Sequence, residues 1–383
     1  LSAALEARIA RVLDEYDAQG WHRTGTGVDA TSARWFEGIV REAGATPVIE
    51  EFALQRLQPH VACIEAGHRR IDGLPLFDAP APAAGSITGT IGPLGSGSAI
   101  GLVITRSPAP DAAYDALRRD SGHQALVGVT VGPSPGLQAR NAGGFKQPFG
   151  VPVLQVGSEN LAALETAAEA GSSATLTISS EYIATTSSNV AALVPGAERG
   201  LAPVVVSTPR TGWWNCSGER GGGIACWLEL LDWAVRTPHR RDVLFAAFAG
   251  HELNHLGLDA FLEQRPTLPT RAHAWVHFGA NIGARQGAAI QLSASREADL
   301  TSARALLDAA RVGPVNSPEA GVVNGGESAV VARMGARCIA LLGGNNLFHY
   351  EADRWPANND VPQIARQAGA FVSQLQLLAD SAD

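Results

Sequence analysis

Residues 241–262, RDVLFAAFAGHELNHLGLDAFL, constrain the fold of this chain more than any other stretch. Residues 243–249 form an unbroken apolar run, too short for most helices, with Arg-Arg-Asp before it and Gly250 after it. A run without polar alternation fits a strand buried on both faces of a parallel sheet. From 253 to 262 the apolar residues return at helical spacing. The order is therefore strand, glycine turn, helix. Gly250, His251 and Glu252 fall at the carboxyl end of a core strand, the edge where open α/β sheets place their ligands.

Two chemistries fit those letters. His251-Glu252-Leu253-Asn254-His255 matches the HExxH pattern, in which two histidines one helical turn apart hold zinc and the glutamate acts as base. That geometry needs a helix already running at the first histidine, whereas here a strand ends just before it. The other reading is a His-Glu pair at a strand end.

The 383 residues suffice for two domains, and 45% hydrophobic with 17% charged residues describes a globular protein rather than a disordered chain. A net charge of −8 with Lys146 as the sole lysine gives no electrostatic footprint for nucleic acid. No apolar stretch is long enough to span a bilayer, so no membrane partner is expected. Cys63, Cys216, Cys226 and Cys338 lack metal or redox spacing and read as free buried thiols of a reducing compartment. The first sixteen residues form an amphipathic helix pattern rather than a signal peptide, and the expected location is cytoplasmic, with the missing initiator Met suggesting trimming.

Helices are expected at 2–16, from Asp29 and Thr31 to about Ala43, at 223–235, from 253, at 302–310 and at 362–378, with strands at 46–52, 60–66, 189–194, 204–207, 243–249, 274–279 and 338–342. Regular β–α alternation after 188 implies an α/β fold with a mostly parallel sheet covered on both faces. From 69 to 185 the texture shifts to dense Pro and Gly with short apolar strands (99–104, 126–131, 151–156, 175–178) and two helices (111–119, 159–170). This predicts a β-rich domain, 69–185, inserted into an α/β domain built from 1–68 and 186–383, with the polar run Thr185-Thr186-Ser187-Ser188 as the second join.

The order of pieces resembles the zinc aminopeptidase and carboxypeptidase family that includes bacterial leucyl aminopeptidase and glutamate carboxypeptidase; glutaminyl cyclase shares that fold with one zinc. The similarity covers most of the chain, and the insertion resembles a protease-associated domain. Asn189-Val190-Ala191-Ala192 with Pro195-Gly196 matches the family's strand entry. Where the family has His-x-Asp, with a zinc-binding His, this chain has Pro209-Arg210-Thr211. Glu219, in Glu219-Arg220-Gly221-Gly222-Gly223, takes the place of the Asp that bridges two zincs. His251-Glu252 replaces a Glu-Glu pair of base and ligand, Ala280 replaces a late Asp ligand, and His349 matches the last His ligand.

Every ligand private to one of the family's two metals is thus gone, while the other metal keeps counterparts in Glu219, Glu252 and His349. The resemblance then implies a single zinc on those three residues, with His251 as general acid/base, in a hydrolase of a small amide, ester or related bond. Trp213 and Trp214 are expected to wall the void of the lost metal and to grip an aromatic or sugar-like small molecule, with Arg210 for an anionic group and Glu327 and Tyr350 lining the site. Plain alternatives stand beside each role. Glu219 pairs with Arg220, His251 is a hydrogen-bonded core histidine, His349 packs against Phe348, Tyr350 and Trp355, and His255 is structural. The second functional reading is a metal-free or inactive homologue that binds a ligand in the same cleft, and a third uses His251, Glu252 and His255 as a zinc site. Oligomeric state is not readable.

Overall fold

The computed structural model describes residues 3–323 and 325–382. Leu1 and Ser2, at the start of the first expected helix, lie outside the described residues, as do Asn324 and Asp383.

Four parallel strands form the heart of the molecule: Val243–Phe248, Val204–Pro209, Ala274–Phe278 and Cys338–Gly343, side by side in that order. Their apolar runs are continuous because each face meets a different helix layer. Val204, Val206, Val243, Phe245, Ala274 and Val276 join a core shared with the helices Ala3–Asp17, Gly27–Glu42, Gly222–Arg236 and Val361–Ala379. Val205, Ala246, Phe248 and Trp275, one residue out of phase, join a second core with Leu258, Phe261 and Val331, from the helices Leu256–Glu263 and Gly326–Arg333. The mostly parallel, two-sided α/β sheet expected from the alternation is therefore present. The strand Ile290–Ala294 and the helix Gly326–Arg333 were not anticipated. All four cysteines are buried and free.

Two expected boundaries between elements differ in the structure. The two strands expected at 46–52 and 60–66 are one strand, Pro47–Ala66, and it pairs antiparallel with a second long strand, Ser173–Val194. The polar run 185–188 is not a flexible join. Its β-branched and hydroxyl residues suit a strand, and it pairs with Leu54 to Glu51 in the middle of this ribbon. Beyond the ribbon the parallel strands Ile100–Thr105, Ala125–Thr130 and Val153–Val156 share a core of Ile91, Val127 and Leu154 with Leu164 of the helix Leu161–Glu169, and a second one of Val103, Leu126 and Val153 with Tyr114 of the helix Ala112–Arg119. The two helices expected among these strands are present, at Ala112–Arg119 and Leu161–Glu169.

Candidate active site

The turn after strand Val243–Phe248 decides where its polar residues point. Gly250 sits at φ +78, and a Cβ there would lie 2.7 Å from Leu256 Cβ, so only glycine fits without a shift. A single 3-10 turn, His251–Leu253, follows, and then Asn254 and His255 are both left-handed, at φ 63 and 62, before the helix Leu256–Glu263 begins. The five letters of the HExxH pattern are thus not on one helix. The two histidines nevertheless meet, with ring centroids 5.2 Å apart.

They meet over Glu327, carried in on the first turn of the helix Gly326–Arg333. His251 Nδ1 lies 2.9 and 3.0 Å from the two Glu327 oxygens. Among the described residues, one group of three His, Cys, Asp or Glu side chains brings its ligand atoms within 4.8 Å of one another: His251, His255 and Glu327. His277 approaches from the neighbouring strand, its Nε2 3.9 Å from Glu327 Oε2. Its Nδ1 is 2.9 Å from Ser207 Oγ, which also accepts the Trp275 indole N–H at 2.6 Å. Because Trp275 can only donate, the Ser207 proton is free to go to His277 Nδ1, which leaves the Nε2–H of His277 directed at Glu327.

A second acidic group lies in the same region. Glu219 stands on a tight turn, Ser217–Gly221, whose Gly218 and Glu219 N–H groups donate to Asp353 at 3.0 and 2.8 Å. Its carboxylate is 2.5 Å from Arg220 and its Oε1 is 3.5 Å from His349 Nε2. The other ring nitrogen of His349 donates to the Ala139 carbonyl at 2.7 Å. Beyond these two contacts, the buried Glu219 oxygens and His349 Nε2 have no hydrogen-bond partner. The Glu219–Arg220 pairing and the Glu219–His349 approach therefore coexist. His251, His255, His277, Glu327, His349, Asn254 and Asn281 line a cavity of about 320 Å³, roofed by Ala109, Pro110, Asn141 and Gly143 of the insertion.

Burial sets the protonation states here, with charge correcting it. Burial, with Arg220 nearby, pushes the His251 imidazole down to about 4, and burial brings His277 to about 4 as well, so both are neutral near pH 7. Burial would raise the Glu327 carboxyl, but His251 and His255 outweigh it and hold it well below the usual carboxylate range. The same contest at Glu219 is won by Arg220 and His349, which bring it to about 2.

Several expected site residues are elsewhere. Glu252 does not join Glu219 and His349; its carboxylate turns the other way, accepting from Thr24 N at 2.8 Å and Thr211 Oγ1 at 2.9 Å. The physical reason is the tight turn, which sends consecutive side chains to opposite sides, and the hydroxyl of Thr211, a donor where an aspartate would repel. Arg210 is fully buried in an ion pair with Asp29 at 2.8 Å and does not line this cavity. Trp213 and Trp214 are core residues whose indole N–H groups donate to Asn141 Oδ1 and the His349 carbonyl, and neither lines the histidine cavity. Tyr350 is buried against Gln138, outside it too. Glu327 does line it. His255 was named as a site residue only in the third reading, beside Glu252 rather than Glu327, and His277 was missed, although a histidine within the apolar strand 274–279 was a readable sign.

The fold is that of the zinc aminopeptidases. Over 98% of this chain and 95% of the other it matches a zinc aminopeptidase from Bacillus subtilis at 15% identity and a TM-score of 0.82. A peptidase M28 precursor from Shewanella amazonensis matches at 14% identity and 0.76, covering 99% of this chain and 96% of that one, and an aminopeptidase from Aneurinibacillus at 15% and 0.75, covering 99% and 95%. No family model and no curated protein matches the sequence.

Proposed function

We propose that this protein is a hydrolase of small amide, ester or related bonds, working in the histidine cavity with a single divalent metal, zinc by donor type. The observation that carries this is the convergence of His251, His255 and Glu327 within 4.8 Å at the carboxyl ends of the parallel strands. Two imidazoles and one carboxylate are a donor set suited to a catalytic zinc that keeps a position open. The ligands named from the resemblance, Glu219, Glu252 and His349, give way to this trio. Zinc would supply Lewis acidity toward a substrate carbonyl. The chain's own part is to hold Glu327 between His251 and His277 and to set the Glu219 carboxylate beside His349 Nε2, 3.5 Å apart. The chain departs from a two-zinc aminopeptidase at Pro209, Thr211 and Ala280, and the likeness of the insertion to a protease-associated domain belongs to the same reading.

A second reading is favoured by the direct His251–Glu327 hydrogen bond: a metal-free general base, with Glu327 orienting the imidazole. Metal analysis of protein purified without chelator separates the two, run with a panel of chromogenic amides and esters. The first reading expects about one zinc per chain, lost in His255→Ala and Glu327→Gln, kept in Glu252→Ala and His349→Ala, with activity lost in His349→Ala. Activity without bound or activating metal supports the second. Metal lost in His349→Ala but kept in His255→Ala would return the ion to the Glu219–His349 pair and sink the assignment made here.

A further inference from the structure

Behind the histidine cavity, on the other side of the turn His251–Leu253, lies a second cavity of about 490 Å³. Its size is that of ordinary small-molecule sites. Trp21, Phe77, Trp213 and Leu57 form apolar walls, and two guanidinium groups, Arg23 and Arg56, line it. Arg23 lies 4.9 Å from the centroid of the Trp21 ring, 5.1 Å from Trp214 and 5.9 Å from Phe77, and its Nε donates to the Trp213 carbonyl at 3.2 Å. That clamp fixes its plane and leaves both terminal nitrogens without a hydrogen bond within the protein. Arg56 donates from one nitrogen to Gln58, while its Nε is buried without a partner. The one acidic group in the lining, Glu252, is hydrogen-bonded by Thr24 and Thr211 and attracts Arg23, while Arg56 repels it. Two cations against one carboxylate are thus held on one aromatic-walled cavity with unused N–H groups.

We infer that this cavity is a binding site for a small carboxylate with an aromatic or aliphatic body, separate from the histidine cavity. The planar fork of a guanidinium matches a carboxylate, and an anion between Arg23 and Arg56 relieves their repulsion. The indole and phenyl faces take the apolar body.

The test is a calorimetric titration of the full chain with 4-phenylbutyrate and, in parallel, with its neutral amide. Saturable binding of the carboxylate, at least tenfold tighter than the amide, is expected. Arg56→Met and Arg23→Met each weaken it tenfold or more, with folding checked by circular dichroism. Gly27→Phe provides a variant that leaves both arginines intact: Gly27 lines the cavity and a Cβ there meets nothing within 4 Å, so the new ring fills the space and abolishes binding. His255→Ala leaves binding unchanged. Equal affinity for acid and amide, no saturable binding, or binding that survives Gly27→Phe overturns the assignment.

Discussion

Replacing Arg210 with Met should cost this protein a large part of its stability while leaving the substrate affinity of the folded fraction unchanged. The Arg210 and Asp29 side chains are 0% and 1% exposed and 2.8 Å apart. Arg210 also donates to the Ser188 and Asp29 carbonyls, and Asp29 Oδ1 has no other partner. Breaking a buried pair from one side leaves an uncompensated charge and costs about 3–5 kcal/mol. The other Asp29 oxygen keeps Gly25 N and Ser187 Oγ, at 2.7 and 2.6 Å, which places the loss toward the lower end. At a slope of ~3 kcal/mol per M, the urea midpoint falls by ~1 M. Adding Asp29→Asn should restore part of the loss, because the second charge no longer stands alone. A midpoint within ~0.3 M of wild type, together with a raised KM, would refute a structural Arg210 and restore it as an anchor for an anionic substrate.

Other outcomes follow from the same geometry. His22, stacked on Tyr16 at 3.8 Å, is pushed by burial down to about 3. The unfolded chain takes up a proton below pH 6.5 that the folded one refuses, so stability is full near neutrality and falls as pH drops from 6.5 towards 3. The total is ~3–5 kcal/mol, and His22→Phe should flatten the profile seen in thermal melts; an unchanged slope would count against it. Gly250→Ala forces a side chain into a left-handed site and against Leu256, costing about 1–3 kcal/mol, and should abolish activity by moving His251 away from His255. Ser207→Ala removes the group that orients His277. It should lower zinc affinity by about tenfold with little change in fold, read by competition with a chromogenic chelator, and an unaltered affinity would show that His277 does not steady Glu327.

Much of the architecture was readable because it rests on apolar periodicity. Residues 243–249 fit a doubly covered strand, and the structure splits Phe245 and Phe248 between two helix layers as that requires. The ribbon was less legible, since the hydroxyl-rich stretch 185–188 reads as a loop until its partner strand is known. The site was legible by place but not by direction. Glu219, His251, Glu327 and His349 all fall in one region, yet Glu252 turns away because Gly250, Asn254 and His255 all take left-handed backbone, which no periodicity describes. Trp213 and Trp214 could not be placed for a similar reason: the acceptors of their indole N–H groups come from residues 141 and 349, far off in the chain.

The paired strands Pro47–Ala66 and Ser173–Val194 act as a beam on which the insertion is mounted. At about 3.3 Å per residue the beam is roughly 60–70 Å long, with its one register irregularity at Pro59 and Val61. The roof residues 109, 110, 141 and 143 lie in the stretch between its two strands, and backbone bonds from Ala139 and Ala142 to His349 and Glu252 tie that stretch down. For the function proposed above, shortening side chains in this ceiling is the direct way to change which molecules fit beneath it.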